Sequence, residues 1–162
     1  MFTKEEYNKW LEDPTNQELN KKMVEEFPFL LPRNLWTDEV SEDYDYSYNK
    51  LWDLDKGWAK AFGYELICEL KDALVEANYL DKYRITQIKE KYGGLCWYDV
   101  GTPAKAFDII RKYESLSYKT CFICGEPATH MTQGWVNYFC AKCGEKFGAK
   151  LIPEDWWEED ED

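Results

Sequence analysis

The sequence predicts an α+β fold: helices packed on a small antiparallel sheet, followed by a C-terminal zinc-ribbon or treble-clef-like module and an acidic tail. Three observations carry this prediction. Residues 66–74 place apolar side chains at helical spacing, two strand-like runs flank Gly93-Gly94, and two Cys-x-x-Cys pairs lie near the end of the chain. The divisions that follow are a body over 1–117, a module over 118–150 and a tail over 151–162.

Thr3 with Glu6, and Thr15 with Glu18, each fit a capping box, which predicts short helices over 4–12 and 16–26. The prolines of "FPFLLPRN" end that pair, and the Tyr-rich "SEDYDYSYN" reads as a loop because neither helical nor strand periodicity survives there. Leu66, Ile67, Leu70, Ala73 and Leu74 then form one apolar face, with Glu65, Glu69, Asp72 and Glu76 opposite. "YRITQIKEKYGGLCWYDVG" reads as a hairpin in which Gly93-Gly94 supplies the positive φ of a tight turn. Thr102-Pro103 predicts a further helix start, with Phe107, Ile109, Ile110, Tyr113 and Leu116 toward the core.

The chain has 162 residues, 44% apolar and 17% aromatic, which is enough to bury a core despite a net charge of −12. It contains no apolar run of the roughly 18 residues that a membrane span needs, and "MFTKEEYNKWLEDP" lacks the pattern of a signal peptide, so a cytoplasmic location is expected. The acidity is localised. Residues 38–55 carry seven acids against Lys50, and the last nine residues carry seven more. Direct nucleic-acid binding, which needs Lys and Arg along the phosphates, is disfavoured, and a basic partner fits better.

Cys121, Cys124, Cys140 and Cys143 form C-x2-C-x15-C-x2-C, a zinc-ligand spacing. A two-residue gap lets both thiolates of a turn converge on one ion, and Gly125 and Gly144 allow the tight turns. Four thiolates leave no open position for water, so Zn2+ is expected to be structural. "ATHMTQGWVNYF" predicts a hairpin turning near Gly134, and "AKCGEKFGAK" a helix start. His130 reads as a turn residue rather than a ligand, and Cys68 and Cys96 as inert packed thiols.

"EFPFLLPRN", "DKGWAKAFGYEL", "QIKEKYGGLCWYD" and the closing cysteine pairs resemble small zinc-ribbon-ended proteins encoded in phages and prophages of gut Firmicutes, over about residues 26–144. The resemblance implies a viral accessory role in a bacterial host cytosol and transfers no catalytic residue.

No enzymatic activity is expected. The single His130 has no evident catalytic partner, and neither a nucleophile elbow nor a phosphate-cradling glycine motif occurs. Two binding classes remain. In the first, which the resemblance favours because host defence nucleases present basic grooves, the chain inhibits a nucleic-acid-binding host protein by imitating phosphate. Its contacts would be Asp38, Glu39, Glu42, Asp43 and Asp45 of the loop, with Trp156, Trp157, Glu158, Glu159 and Asp160 of the tail. If extended, the tail advances roughly 3.3 Å per residue, comparable with the ~3.4 Å per phosphate of a DNA strand; the alternative is a solvated acidic tail whose tryptophans fold back on the body. The second class is a small-molecule or nucleotide binder with an aromatic-lined pocket and Arg84, Lys89 or Lys91 as its basic groups.

Overall fold

A computed structural model describes residues 1–157. Helices α1 (Lys4–Glu12) and α2 (Gln17–Glu26) begin where capping chemistry puts them. Thr3 and Glu6 form the anticipated reciprocal box. The second start differs from expectation: Asn16, not Thr15, caps α2 by accepting from the Leu19 N–H at 3.0 Å, because Thr15 gives its hydroxyl to Asp13 Oδ1. "FPFLLPRN" breaks the helices but is no mere connector. Its 3-10 turn Pro28–Leu30 buries Phe29 and Leu30, and Phe27 lies beneath it.

The central helical rod runs through α3 (Lys56–Trp58), a π-helical turn (Ala59–Gly63) and α4 (Tyr64–Glu76). Leu66, Ile67, Leu70, Ala73 and Leu74 are all buried, as their spacing predicts. The widened turn has a local cause. The Tyr7 hydroxyl donates to the Ala59 carbonyl at 2.6 Å and lies only 2.2 Å from where a Cβ on Gly63 would stand. A side chain inserted beside the helical ladder forces that ladder to open.

Strands β1 (Arg84–Lys91) and β2 (Gly94–Val100) form an antiparallel hairpin with a bulge between Ile85 and Gln87. Its turn is Tyr92-Gly93 rather than Gly93-Gly94: φ is +53° and +84° at those two residues, and Gly94 already pairs with Lys91. Helix α5 (Ala104–Ser117) covers the hairpin and satisfies the free edge of β2, since Ser117 Oγ accepts the Leu95 N–H and Glu114 accepts the Trp97 N–H. Thr102 does not cap α5, because its hydroxyl donates to Asp99 and Pro103 occupies the cap position. Ala106, Ile110, Tyr113 and Ser117 form its buried face, whereas Phe107 and Leu116 are exposed.

The loop over 38–55 is tied down at both ends. Asn49 enters a buried amide network in which its Nδ2 and the Trp10 indole both donate to Asn20 Oδ1, at 2.7 and 2.9 Å. Near the rod, Asp55 is half-buried. Desolvation, and next the charge of Glu90, push its carboxyl up to about 6. Between 3.8, its ordinary value, and about 6, the folded protein holds a proton that the unfolded chain has released, so stability declines as pH rises through that window. Asp55→Asn is therefore expected to stabilise the protein at pH 7 by about 1 kcal/mol, after allowance for partial exposure, and by almost nothing near pH 4. Melting temperatures of both proteins at pH 4 and pH 7 check this. An equal gain at the two pH values would remove charge as the cause.

The C-terminal unit is a second sheet of order β4-β3-β5, made of β3 (His130–Met131), β4 (Tyr138–Phe139) and β5 (Lys150–Leu151), with the short helix α6 (Ala141–Gly144) after β4. Gly134, at φ +84°, lies in the β3–β4 loop as expected. Strand β5 was not foreseen. No helix of the described residues is long and apolar enough to cross a membrane.

Candidate metal centre

The loop before β3 folds into a tight knuckle. Gly125 donates its N–H to the Cys121 carbonyl at 2.9 Å, and the Cys121 N–H reaches the Glu126 carbonyl at 2.8 Å. Gly125 has φ +85°, the left-handed conformation that the sequence required of it. Gly144 does not: it is right-handed at φ −74°, and its lack of a side chain matters because a Cβ there would meet Ala149 Cβ at 2.7 Å. The second cysteine pair sits on α6, with Cys140 at the cap and Cys143 in the first turn.

This arrangement brings the four thiols together. The Sγ atoms of Cys121, Cys124, Cys140 and Cys143 all lie within 4.8 Å of one another, and none is in a disulfide. Cys124 and Cys140 are 3.6 Å apart, far beyond the roughly 2.05 Å of an S–S bond. The Cys143 backbone N–H points at Cys140 Sγ and lowers its thiol to about 7, whereas burial pushes the Cys124 thiol up and the Cys143 thiol up to about 12. Cys121 is buried and the other three are half-buried. The cluster is compatible with a metal site. His130 is outside it, with Nδ1 hydrogen bonded to Thr129 Oγ1 at 2.7 Å. Cys68 and Cys96 lie in the body, also outside the cluster.

The unit is pressed against the body. Gly57 donates its N–H to the Phe122 carbonyl at 2.8 Å, the Trp58 indole reaches the Thr120 carbonyl at 3.4 Å, and a Cβ on Gly57 would stand 2.2 Å from the Cys121 carbonyl oxygen. A second joint involves Glu90, whose Oε1 accepts from the Gly93 N–H at 2.7 Å and from Asn137 Nδ2 at 3.2 Å. Sequence reasoning passed over Gly57. A glycine inside the helical pattern "DKGWAKAF" was the available signal, because such a residue commonly marks close backbone approach.

The acids proposed to bind a partner divide into three groups. Asp38, at φ +62°, is turned onto Arg84, which binds it through Nε at 2.7 Å and Nη2 at 3.2 Å and holds its carboxyl below the usual range. Glu39, Glu42, Asp43 and Asp45 are exposed, and none has a Lys or Arg within 4.0 Å among the described residues. Glu158, Glu159 and Asp160 lie outside the described residues.

Trp156 and Trp157 are half-buried against the cysteine unit. The Trp157 ring packs on Tyr138 and Tyr118 at 5.2 and 5.8 Å between centroids, and the Trp156 indole donates to the Tyr138 hydroxyl at 3.1 Å. The pair is thus part of the packing: of the two arrangements open for the tail, the tryptophans take the one that folds back on the body. Replacing both by alanine should lower stability by about 2 kcal/mol, or roughly 4–8 °C in melting temperature. A thermal scan checks this, and an unchanged midpoint would show that the rings contribute no packing energy.

No family model, curated protein or solved structure matches the chain.

Proposed function

We propose that this is a non-enzymatic accessory protein of phage type that binds and inhibits a basic, nucleic-acid-binding protein of a bacterial host, with Zn2+ as a structural ion. For the metal, a zinc tetrahedron with bonds of roughly 2.3 Å separates its sulfurs by about 3.8 Å, close to the 3.6 Å between Cys124 and Cys140. Four thiolates close the coordination sphere and leave the ion no catalytic position. A knuckle, a hairpin and a ligand pair on the following helix favour a treble-clef-like unit over a ribbon.

The observation that carries the inhibitory reading is the build of the acidic loop. The Tyr44 ring packs on Tyr46 and Tyr48 at 5.0 and 5.3 Å, and its hydroxyl donates to the Tyr48 carbonyl. This aromatic clasp holds an ordered backbone from which Glu39, Glu42, Asp43 and Asp45 project with no Lys or Arg within 4.0 Å among the described residues. Trp36, 92% exposed, and Trp52, 51% exposed, flank them in sequence as candidate anchors. Carboxylates carried on an ordered loop, with exposed rings near them in the chain, would imitate phosphates and bases, and an ordered backbone would cost a partner little ordering entropy. Trp36 and Trp52 now supply the anchoring role first expected of Trp156 and Trp157.

The decisive experiment is competition. A host nuclease captured by the protein should be released by duplex DNA and inhibited in DNA cleavage. The Glu39→Gln, Glu42→Gln, Asp43→Asn, Asp45→Asn combination should weaken capture at least tenfold and flatten its salt dependence. A captured partner that binds DNA and this protein together would end the phosphate-imitation reading.

A further inference from the structure

The tip of the β1–β2 hairpin and the β3–β4 loop enclose a cleft of about 280 Å³ lined by Lys89, Glu90, Lys91, Tyr92, Trp135 and Val136. Three of its features are not explained by packing. Tyr92 is 77% exposed and Trp135 is 81% exposed, so two large rings are left in water beside one concavity. Tyr92 also holds φ +53°, where a bulky residue is strained and Gly or Asn would be at ease. Lys89 and Lys91 have no carboxylate within 4.0 Å among the described residues. Their ammonium groups lie instead over the rings of Tyr98 and Tyr92, at 5.6 and 5.7 Å.

Glu90 is the one acid in the lining, and its carboxylate is already engaged by the Gly93 N–H and Asn137 Nδ2, so it joins the two tips rather than neutralising a lysine. In a chain of net charge −12, the cleft therefore pairs two lysines that have no carboxylate partner among the described residues with two exposed rings. A ligand that answers both features carries a flat aromatic group and an anion. A base stacked on an aromatic side chain gains roughly 1–3 kcal/mol, and an ammonium serves as a point charge for phosphate. The volume, about 280 Å³, lies just below the roughly 300–1,000 Å³ typical of ligand sites, which suits one nucleotide better than a strand.

We infer that this cleft binds a single nucleoside phosphate. The site is separate from the acidic loop, so its failure would leave the proposed inhibitory function untouched.

The test is calorimetric titration of the full-length, zinc-loaded protein with AMP, GMP, CMP and UMP. The matching nucleosides, inorganic phosphate and a single-stranded hexanucleotide serve as comparison ligands. At least one mononucleotide should bind saturably and at least tenfold more tightly than its nucleoside or phosphate alone, with the hexanucleotide no tighter. Trp135→Ala, and Lys89→Gln with Lys91→Gln, should each weaken that binding at least tenfold while zinc content and melting temperature are retained, since these side chains support no core. Absence of saturable binding below about 1 mM, a weak regime of about −4 kcal/mol, would overturn the inference. So would unchanged affinity in both variants, and tighter binding of the hexanucleotide would overturn the single-nucleotide ligand by assigning the cleft to a strand.

Discussion

Cys121→Ser is expected to release the metal, open residues 118–157 and lower the melting temperature by about 10 °C. The sulfur of Cys121 is one of the four that converge, and the residue is wholly buried between the knuckle and the helical rod. In small finger peptides structural zinc is worth roughly 10–16 kcal/mol of apparent folding free energy. Only a share reaches the global transition here, because the body keeps its own core. A loss of about 3–5 kcal/mol corresponds to the stated shift for a chain of this size. Metal analysis should find one zinc per wild-type chain and none in the variant, and hydrogen exchange should accelerate over 118–157. Cys68→Ser and Cys96→Ser, outside the cluster, should leave the metal in place. A wild-type protein that is fully folded without zinc would sink the assignment.

Gly57→Ala should cost about 3 kcal/mol or more, although alanine is ordinarily the better helix former. The added methyl would stand 2.2 Å from the Cys121 carbonyl oxygen, 2.4 Å from the Phe122 carbonyl carbon and 2.6 Å from its oxygen. All three are backbone atoms of the cysteine knuckle, so they yield only if the unit moves off the body, which also breaks the Gly57 N–H to Phe122 hydrogen bond. Metal affinity should fall with stability, because the displaced backbone carries the Cys121 ligand. Gly134→Ala is the control: nothing lies within 4 Å of its Cβ position, so only the strain of φ +84° remains, about 1 kcal/mol. Equal losses in the two variants would show that the tight docking at Gly57 has no energetic weight.

Periodic and local features were legible in the sequence. The apolar face of α4 was found because helical spacing repeats every few residues, and the Thr3 cap because its partner Glu6 is three residues away. The cysteine cluster was found because each Cys-x-x-Cys pair closes within one turn. Errors arose where a neighbour distant in sequence, or a competing local acceptor, claimed the group. Thr102 was taken from its cap by Asp99, the buried face of α5 was set by the hairpin it covers, and the free charge of Asp38 was removed by Arg84, forty-six residues away.

The sequence by itself determined the helices with strong faces, the hairpin, and which four thiols cluster, since each rests on side-chain chemistry repeated or paired over a few residues. Only the tertiary structure decided that the cysteine unit and the body share an interface at Gly57 and Glu90, and that Trp156 and Trp157 close over Tyr118 and Tyr138. The same folding placed Lys89 and Lys91 beside Tyr92 and Trp135 at one cleft. The physical reason is that close packing joins surfaces by shape and by hydrogen bonds left over from local structure, and neither quantity has a period along the chain.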